Sequence, residues 1–483
     1  MQELANFING EYRTPLGNRY LDNFNPATGA VYSLCPASNA RDVQMAVEAA
    51  RTAFPVWSKM PTDERSRILM RVADLIEDRL ETFADAESKD QGKPVWLARS
   101  VDIPRACSNF RFFAGAVLHR QSECSDMDGR AMNYTHRQPV GVAGLISPWN
   151  LPLYLLTWKI APALATGNTA VCKPSELTPM TAYLLGQVMS EAGVPPGVCN
   201  MVFGTGTEAG AALTAHPHVP LISFTGGTAT AHHISQAAMP HFKKLSLELG
   251  GKNPNIIFAD ANLDKAIETT VRSSFLNQGE ICLCGSRIFV AAEIYDLFLD
   301  RFCEATRALV VGDPSNEHTN LGALVSSAHR DKVMGYIRLA EELGGRVLCG
   351  GNVPDLDPPF DRGYFIQPTV IDRLDPNCAV MQEEIFGPVV TVTPFHSDEE
   401  ALALANGVKY GLSASVWTRD VTRAHRFAQL LEAGVVWVNC WLRRDLRTPF
   451  GGMKQSGIGR EGGHYSLDFF TEAKNVCIEW EDA

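Results

Sequence analysis

From residue 140 onward the chain alternates short apolar runs with stretches of helical period, and that alternation restricts the fold more than any other feature. Residues 140–146 are apolar and end at Ser147-Pro148-Trp149-Asn150. A helical stretch over 158–165 follows, then a strand-like run at 169–172 closed by Lys173-Pro174-Ser175-Glu176. The pattern repeats with a helix over 178–191, a strand over 200–203, the turn Gly204-Thr205-Gly206 and a short helix. A strand over 221–224 then leads into Thr225-Gly226-Gly227 and a further helix. Apolar runs each separated by a helix predict a mostly parallel sheet with helices on both faces. Ligands of such sheets sit beyond the carboxyl ends of the strands, where the helices begin.

Upstream, Val43, Ala46, Val47, Ala50 and Phe54 recur at helical intervals after Asn39, a candidate cap, with Asp42 in the first turn. A second helix opens near Thr62 and a third follows Pro104. Residues 118–137 are polar and end in MNYTHRQ, where apolar and polar side chains alternate. An extended arm and a surface hairpin both fit that stretch. After residue 250 the alternation resumes, with strands expected at 256–258, 287–290, 345–349, 389–392 and 414–417. Gly250-Gly251 is a candidate hinge between two α/β units. The strand-like run at 475–480 would leave an unpaired edge, which a neighbouring subunit is one way to satisfy.

A chain of 483 residues is too long for one compact core, so two or three domains are expected. Its formal charge of -11 leaves no basic footprint, so nucleic acid is not an expected partner. Twelve cysteines show no repeated framework, and the close pair Cys282 and Cys284 has no histidine beside it. No metal site is expected, and unbridged thiols suit a reducing compartment. The first residues, MQELANFING, lack signal-peptide or transit character, and no apolar run reaches the roughly 18 residues that span a bilayer. No membrane association and a cytoplasmic location are the expectations.

The chemistry concentrates between Leu245 and Cys284. Glu248 stands among apolar residues before Gly250-Gly251, and Cys282 follows in a loop opened by Gly279. A thiolate that adds to a carbonyl and a carboxylate that activates water would face one pocket from opposite sides. Each residue alone also fits a plain structural role, as a buried thiol and a strand-end charge. Asn150, at the tip of an apolar strand, can offer its amide to an oxyanion or cap the following helix. Gly204, Gly206 and Gly210 suit close approach of backbone to phosphate, although their spacing departs from the usual dinucleotide fingerprint and a tight turn fits as well. Lys173 and Glu176 can bond ribose hydroxyls or simply each other. Glu384 and Phe386 suit a sugar hydroxyl and a flat ring. Arg105 and Arg444, the latter beside Trp441 and Phe450, can clamp a carboxylate or lie in solvent.

Taken together, ISPWNLP, TWKIAPALATGNT, KPSE, FGTG, FTGG, LELGGKNP, NQGEICLC, EEIFGP and PFGGMKQSGIGREGG make the chain resemble the aldehyde dehydrogenase superfamily along essentially its whole length. The resemblance implies an α/β fold with a discontinuous, Rossmann-like NAD-binding domain (1–117 and 140–249) and a catalytic domain (250–440). It also implies a small β oligomerisation element (118–139 and 460–483) and a homodimer or homotetramer. It places the nucleophile at Cys282, the general base at Glu248 and the oxyanion amide at Asn150. NAD would lie along Ile146, Ser147, Pro148, Trp149, Lys173, Ser175, Glu176, Gly206, Gly210, Phe224, Thr225, Gly226, Gly227, Leu249, Glu384 and Phe386, with Lys159 also on the cofactor side. A free carboxylate at Glu176 favours NAD over NADP. The branch acting on carboxylated semialdehydes is the most similar, and it implies substrate contacts from Arg105, Arg444, Trp158, Cys284 and Phe450. One departure stands out: Gly227 replaces the serine usual after FTG, removing a hydroxyl near the pyrophosphate position.

Overall fold

A computed structural model describes residues 1–480. The expected alternation becomes two large sheets. In the first, five parallel strands run in the spatial order Lys244–Glu248, Leu221–Thr225, Val142–Ile146, Thr169–Lys173 and Cys199–Met201. The order of strand addition reverses between the parallel neighbours Val142–Ile146 and Leu221–Thr225, so their carboxyl ends open a crevice with helices diverging on either side. Short antiparallel strands close the edges, Asn6–Ile8 beside Met201 and Gly457–Ile458 beside Leu247 and Glu248.

The second sheet orders Arg346–Cys349, Thr369–Asp372, Val389–Phe395, Arg287–Ala291, Pro254–Ile257, Ser413–Trp417 and Val435–Val438, parallel except at its first pair. Five of these seven strands were expected and Thr369–Asp372 and Val435–Val438 were not; the central ones, buried on both faces, read as continuous apolar runs. The helix Ala40–Trp57 starts where expected: Asn39 accepts from Arg41 N–H while Asp42 reaches back to Asn39 N–H, a reciprocal cap.

The polar arm is a strand, Ala131–Pro139, and the run near the carboxyl end is its partner. Thr471–Glu479 pairs antiparallel with it along nine residues, from Thr471 opposite Pro139 to Glu479 opposite Ala131. The edge expected to need a second subunit therefore meets its own chain on one side, and the other side stays open. The last three residues of the expected terminal element, 481–483, lie outside the described residues. Among the described residues no helix is long and apolar enough to cross a membrane.

Candidate active site

Cys282 reaches its place through an unusual backbone. The helix Leu263–Phe275 is followed by Asn277, Gln278 and Gly279, all at left-handed φ (53°, 55° and 73°). Such a run turns the chain sharply and is costly for any residue with a Cβ. At Gly279 a Cβ would also lie 2.2 Å from the Gly387 carbonyl oxygen, so only glycine fits. Hydrogen bonds hold the loop beyond this turn. Asn150 Nδ2 donates to the Glu280 carbonyl at 2.8 Å, Asn253 Nδ2 to the Cys282 carbonyl at 2.7 Å, and Trp441 Nε1 to the Leu283 carbonyl at 2.9 Å.

Asn150 is itself anchored from behind, its carbonyl accepting from Lys93 Nζ (3.1 Å) and Asn277 Nδ2 (3.2 Å). The amide thus bridges the crevice of the first sheet to the cysteine loop, with one N–H still uncommitted. Its other expected role, capping the next helix, is not taken: Leu151 occupies the cap of Pro152–Ala165, and no side chain bonds there.

Glu248 ends the strand Lys244–Glu248 and is 3% exposed, yet neither carboxylate oxygen has a hydrogen-bond partner. Burial raises its pKa well above the usual carboxylate range, and the nearby Glu461 adds to this while Lys159, Arg444 and Arg460 oppose it. An unpaired buried carboxyl of this kind is costly and marks a group kept for chemistry. Cys282 is also pushed upward, first by burial and then by Glu384 and Glu248, with Arg444 opposing. Lys159, expected on the cofactor side, instead donates to Glu461 Oε1 and Ser223 Oγ, both at 3.0 Å.

Cys282, Glu248, Thr225, Leu155 and Leu249 border two spaces at once. One is a cleft of about 290 Å³ lined by Pro148, Trp149, Asn150, Gly226, Gly227, Gly250, His329, Lys332, Glu384 and Phe386. The other is an apolar channel lined by Leu97, Val101, Asp102, Leu151, Tyr154, Trp158, Leu442, Arg444, Phe450 and Glu461, among others. A molecule in the cleft and another in the channel would meet at the sulfur.

The remaining predicted residues fall at different depths. Trp149 packs edge-on against Phe386 (5.3 Å) and His329 (5.1 Å), and His329 Nε2 meets the Phe386 carbonyl at 2.6 Å. Glu384 accepts from Gly251 N–H at 2.9 Å, and a Cβ at Gly250 would meet its carboxylate at 2.1 Å. Neither Gly250 nor Gly251 adopts positive φ, so close approach, rather than hinge freedom, is the physical reason visible for this glycine pair. Gly226 lies directly on the Phe224 ring, which together with Ile146 belongs to the core beneath the cleft. Farther along the strand ends, Lys173 Nζ pairs with Glu176 at 2.8 Å, Gly210 lies beside the lysine stem, and Ser175 is buried next to them.

Arg444 lines the channel directly, 3.7 Å from the centre of the Phe450 ring and 5.6 Å from that of Trp158, and donates to Tyr154 Oη at 3.3 Å. Arg105 stands one layer behind the wall, 5.3 Å and 5.5 Å from the Tyr154 and Trp158 rings, with a buried, unpartnered Nη2. Burial lowers its pKa, and the Arg444 charge contributes. Cys284, expected against the substrate, is not in the channel wall but one layer in, buried in the apolar cluster of Leu412, Trp437 and Trp441 whose outer members Ile281, Leu283 and Phe450 form that wall.

Sequence reasoning missed His329, Lys332, Tyr154 and Leu155. His329 and Lys332 lie three apart in the helix Ser327–Glu342 and so share the face turned to the cleft. Leu151, Tyr154, Leu155 and Trp158 follow the same logic at 0, 3, 4 and 7 positions along Pro152–Ala165, and that spacing was readable.

The chain matches the aldehyde dehydrogenase family over residues 13–476. It is 59% identical over 479 residues to 2-aminomuconic semialdehyde dehydrogenase of Danio rerio, covering 99% of this chain and 98% of that protein. It is 49% identical over 485 residues to 2-hydroxymuconic semialdehyde dehydrogenase of Pseudomonas sp. (strain CF600), covering 99% and 100%. The NAD+ complex of an aldehyde dehydrogenase from Bacillus cereus superposes with a TM-score of 0.97 at 40% identity, covering 99% of this chain and 97% of that one. A half-buried cysteine and a buried carboxylate between cleft and channel, on this fold and with these relatives, lead to one conclusion: the chain belongs to the aldehyde dehydrogenase family.

Proposed function

We propose that the protein oxidises a semialdehyde bearing a carboxylate, 2-aminomuconate 6-semialdehyde, to the corresponding acid with NAD. The observation that carries this reading is the pair of guanidiniums, Arg444 in the channel wall and Arg105 behind it. Both lie against aromatic rings and neither has a carboxylate partner among the described residues. Two half-buried positive charges, one in the wall of an apolar channel and one behind it, favour an anion on the entering molecule. The muconic semialdehyde dehydrogenases named above are proteins of the same length and pattern.

The cleft fits NAD on its own evidence. Ser147 Oγ and Thr225 Oγ1 are buried without partners at the strand ends, and open space surrounds Gly206 and Gly227 where a Cβ would intrude. Glu176, held by Lys173, would take ribose hydroxyls and repel a 2′-phosphate, while Glu384, Lys332 and His329 would hold the other end. NAD supplies the acceptor for the hydride.

Cys282 loses its proton and its sulfur adds to the aldehyde carbon. The resulting oxyanion accepts from the free N–H of the Asn150 amide and from the Cys282 backbone N–H. Loss of hydride leaves a thioester on Cys282. Glu248 then takes a proton from water, the hydroxide adds to the acyl carbon, the carbon–sulfur bond breaks, and the acid departs. The open edge of Thr471–Glu479, with Ile478 and Trp480 each 43% exposed, supports a homo-oligomer.

The test is NAD reduction measured side by side on 2-aminomuconic, 2-hydroxymuconic and simple aliphatic semialdehydes. The reading requires the highest kcat/KM on the amino compound. A preference for the hydroxy compound moves the assignment to 2-hydroxymuconic semialdehyde, and equal rates on a neutral aliphatic or retinal-like aldehyde remove the carboxylate requirement. Turnover without NAD would instead indicate cofactor-free acyl transfer.

A further inference from the structure

A second pair of sulfurs lies far from the channel. Cys303 is on the helix Tyr295–Arg307 and Cys349 ends the strand Arg346–Cys349, at the outer edge of the second sheet. A bulge brings them together: pairing with Thr369–Asp372 slips between Val347 and Cys349, leaving Leu348 as the extra residue. Val347 therefore packs on one side of the sheet, while Leu348 and Cys349 both face the cluster containing Phe298, Phe302 and Cys303. One helical turn beyond Cys303, Arg307 Nη2 donates to the Leu348 carbonyl at 2.9 Å and clasps helix to strand. The two thiols share that packed cluster, on facing sides of the helix–strand contact.

Both thiols are buried, Cys303 at 5% and Cys349 at 8% exposure, but Cys349 borders open space. Cys349 forms part of the wall of an open pocket of about 340 Å³, together with Arg307, Thr306, Gly350 and Gln367. The neighbouring Cys303 thiol holds the Cys349 thiol below its usual range against the effect of burial, with Arg307 and the Val370 amide assisting, while Cys303 is pushed upward. A thiol at the wall of an open pocket, beside an arginine and packed in one cluster with a second thiol, has the requirements of an oxidation site. The other neighbouring pair, Cys172 and Cys199, is buried between adjacent strands of the first sheet.

We propose that Cys303 and Cys349 form a redox-active dithiol, which hydroperoxides convert to a disulfide clipping the helix Tyr295–Arg307 to the strand Arg346–Cys349. The Cys349 thiolate attacks one peroxide oxygen and the O–O bond breaks. Cys349 becomes a sulfenic acid, and the departing oxygen takes a proton. Cys303 sulfur then attacks Cys349 sulfur, the S–S bond forms, and the sulfenic oxygen leaves as water with the Cys303 proton. The two sulfurs together lose two electrons to the peroxide, and an external thiol reverses the change by exchange.

The full-length chain is treated with hydrogen peroxide, quenched in acid with N-ethylmaleimide, and mapped by mass spectrometry. A dithiothreitol-reversible peptide pair joining positions 303 and 349 is expected, forming about tenfold or more faster than any link between Cys172 and Cys199. In Cys303→Ser, and in Cys303→Ala as a second check on folding, dimedone should instead trap a sulfenic acid at Cys349. The proposal fails if both thiols stay alkylatable at peroxide levels that oxidise the exposed Cys124, or if the link forms no faster than that of the buried pair.

Discussion

The Arg444 guanidinium carbon lies over Phe450, 3.7 Å from the ring centre, and the adjacent Asp445 is committed to Arg447 rather than to it. A cation held by aromatic rings and left without its own anion is preorganised for a carboxylate arriving through the channel.

Arg444→Ala should lower kcat/KM on a carboxylated semialdehyde roughly tenfold to a hundredfold, the worth of one charge-assisted hydrogen bond. Turnover of a neutral aldehyde of the same length should change little. Steady-state kinetics on both substrates decide it, and an equal loss on both would sink the clamp.

Because burial and Glu461 raise the pKa of Glu248, its basic form accumulates only above the ordinary carboxylate range. Thioester hydrolysis should therefore rise with pH through that raised value and fall away on acidification. Glu248→Gln should abolish the ascending limb while keeping a single-turnover burst of NADH. A burst that disappears in this variant would place Glu248 in the first half-reaction instead.

Removing the Asn150 side chain deletes an oxyanion donor and also the tie to the Glu280 carbonyl. Asn150→Ala should cost about 10²–10³ in kcat, with NAD affinity nearly unchanged. Isothermal titration with NAD alongside stopped-flow rates separates the two quantities.

Glu176→Ser should relieve repulsion of a 2′-phosphate and free Lys173 from its 2.8 Å partner. The ratio of kcat/KM for NADP to that for NAD is expected to climb by about fivefold or more, since one unit charge at this range is worth at least about 1 kcal/mol. An unchanged ratio would mean that the ribose lies elsewhere.

Gly279→Ala combines a left-handed φ of 73° with a Cβ 2.2 Å from the Gly387 carbonyl oxygen. The backbone strain alone costs about 1–3 kcal/mol, and the collision adds to it. Thermal melting should show a lowered Tm, and soluble protein that survives should be slow to react at Cys282 with iodoacetamide.

What could be read in the chain follows from what each element buries. Parallel strands covered on both faces advertise themselves as apolar runs, so the strand ends carrying Asn150, Lys173, Thr225 and Glu248 were placed before any coordinates. The helix Leu80–Gln91 was overlooked because much of its buried face is polar, with Glu87, Ser88, Asp90 and Gln91 all inside. Val421–Leu430 was overlooked because Phe427 is its single buried residue. Each carries only a short apolar stripe, Leu80, Phe83 and Ala84 in the first and Val421, Ala424 and Phe427 in the second.

Order along the chain determined the alternation of strand and helix, the loop glycines, and the residue types able to add to an aldehyde and hydrolyse a thioester. The fold decided which of those types meet. The family resemblance implied Arg105 and Cys284 beside the substrate, whereas packing set one behind two aromatic rings and the other in the cluster beneath the channel wall; it also brought His329 and Lys332 to the cleft from a helical stretch with no motif to mark them. Side-chain chemistry is local and survives in a list of residues, but whether two groups come within a few ångströms depends on contacts between segments tens to hundreds of positions apart.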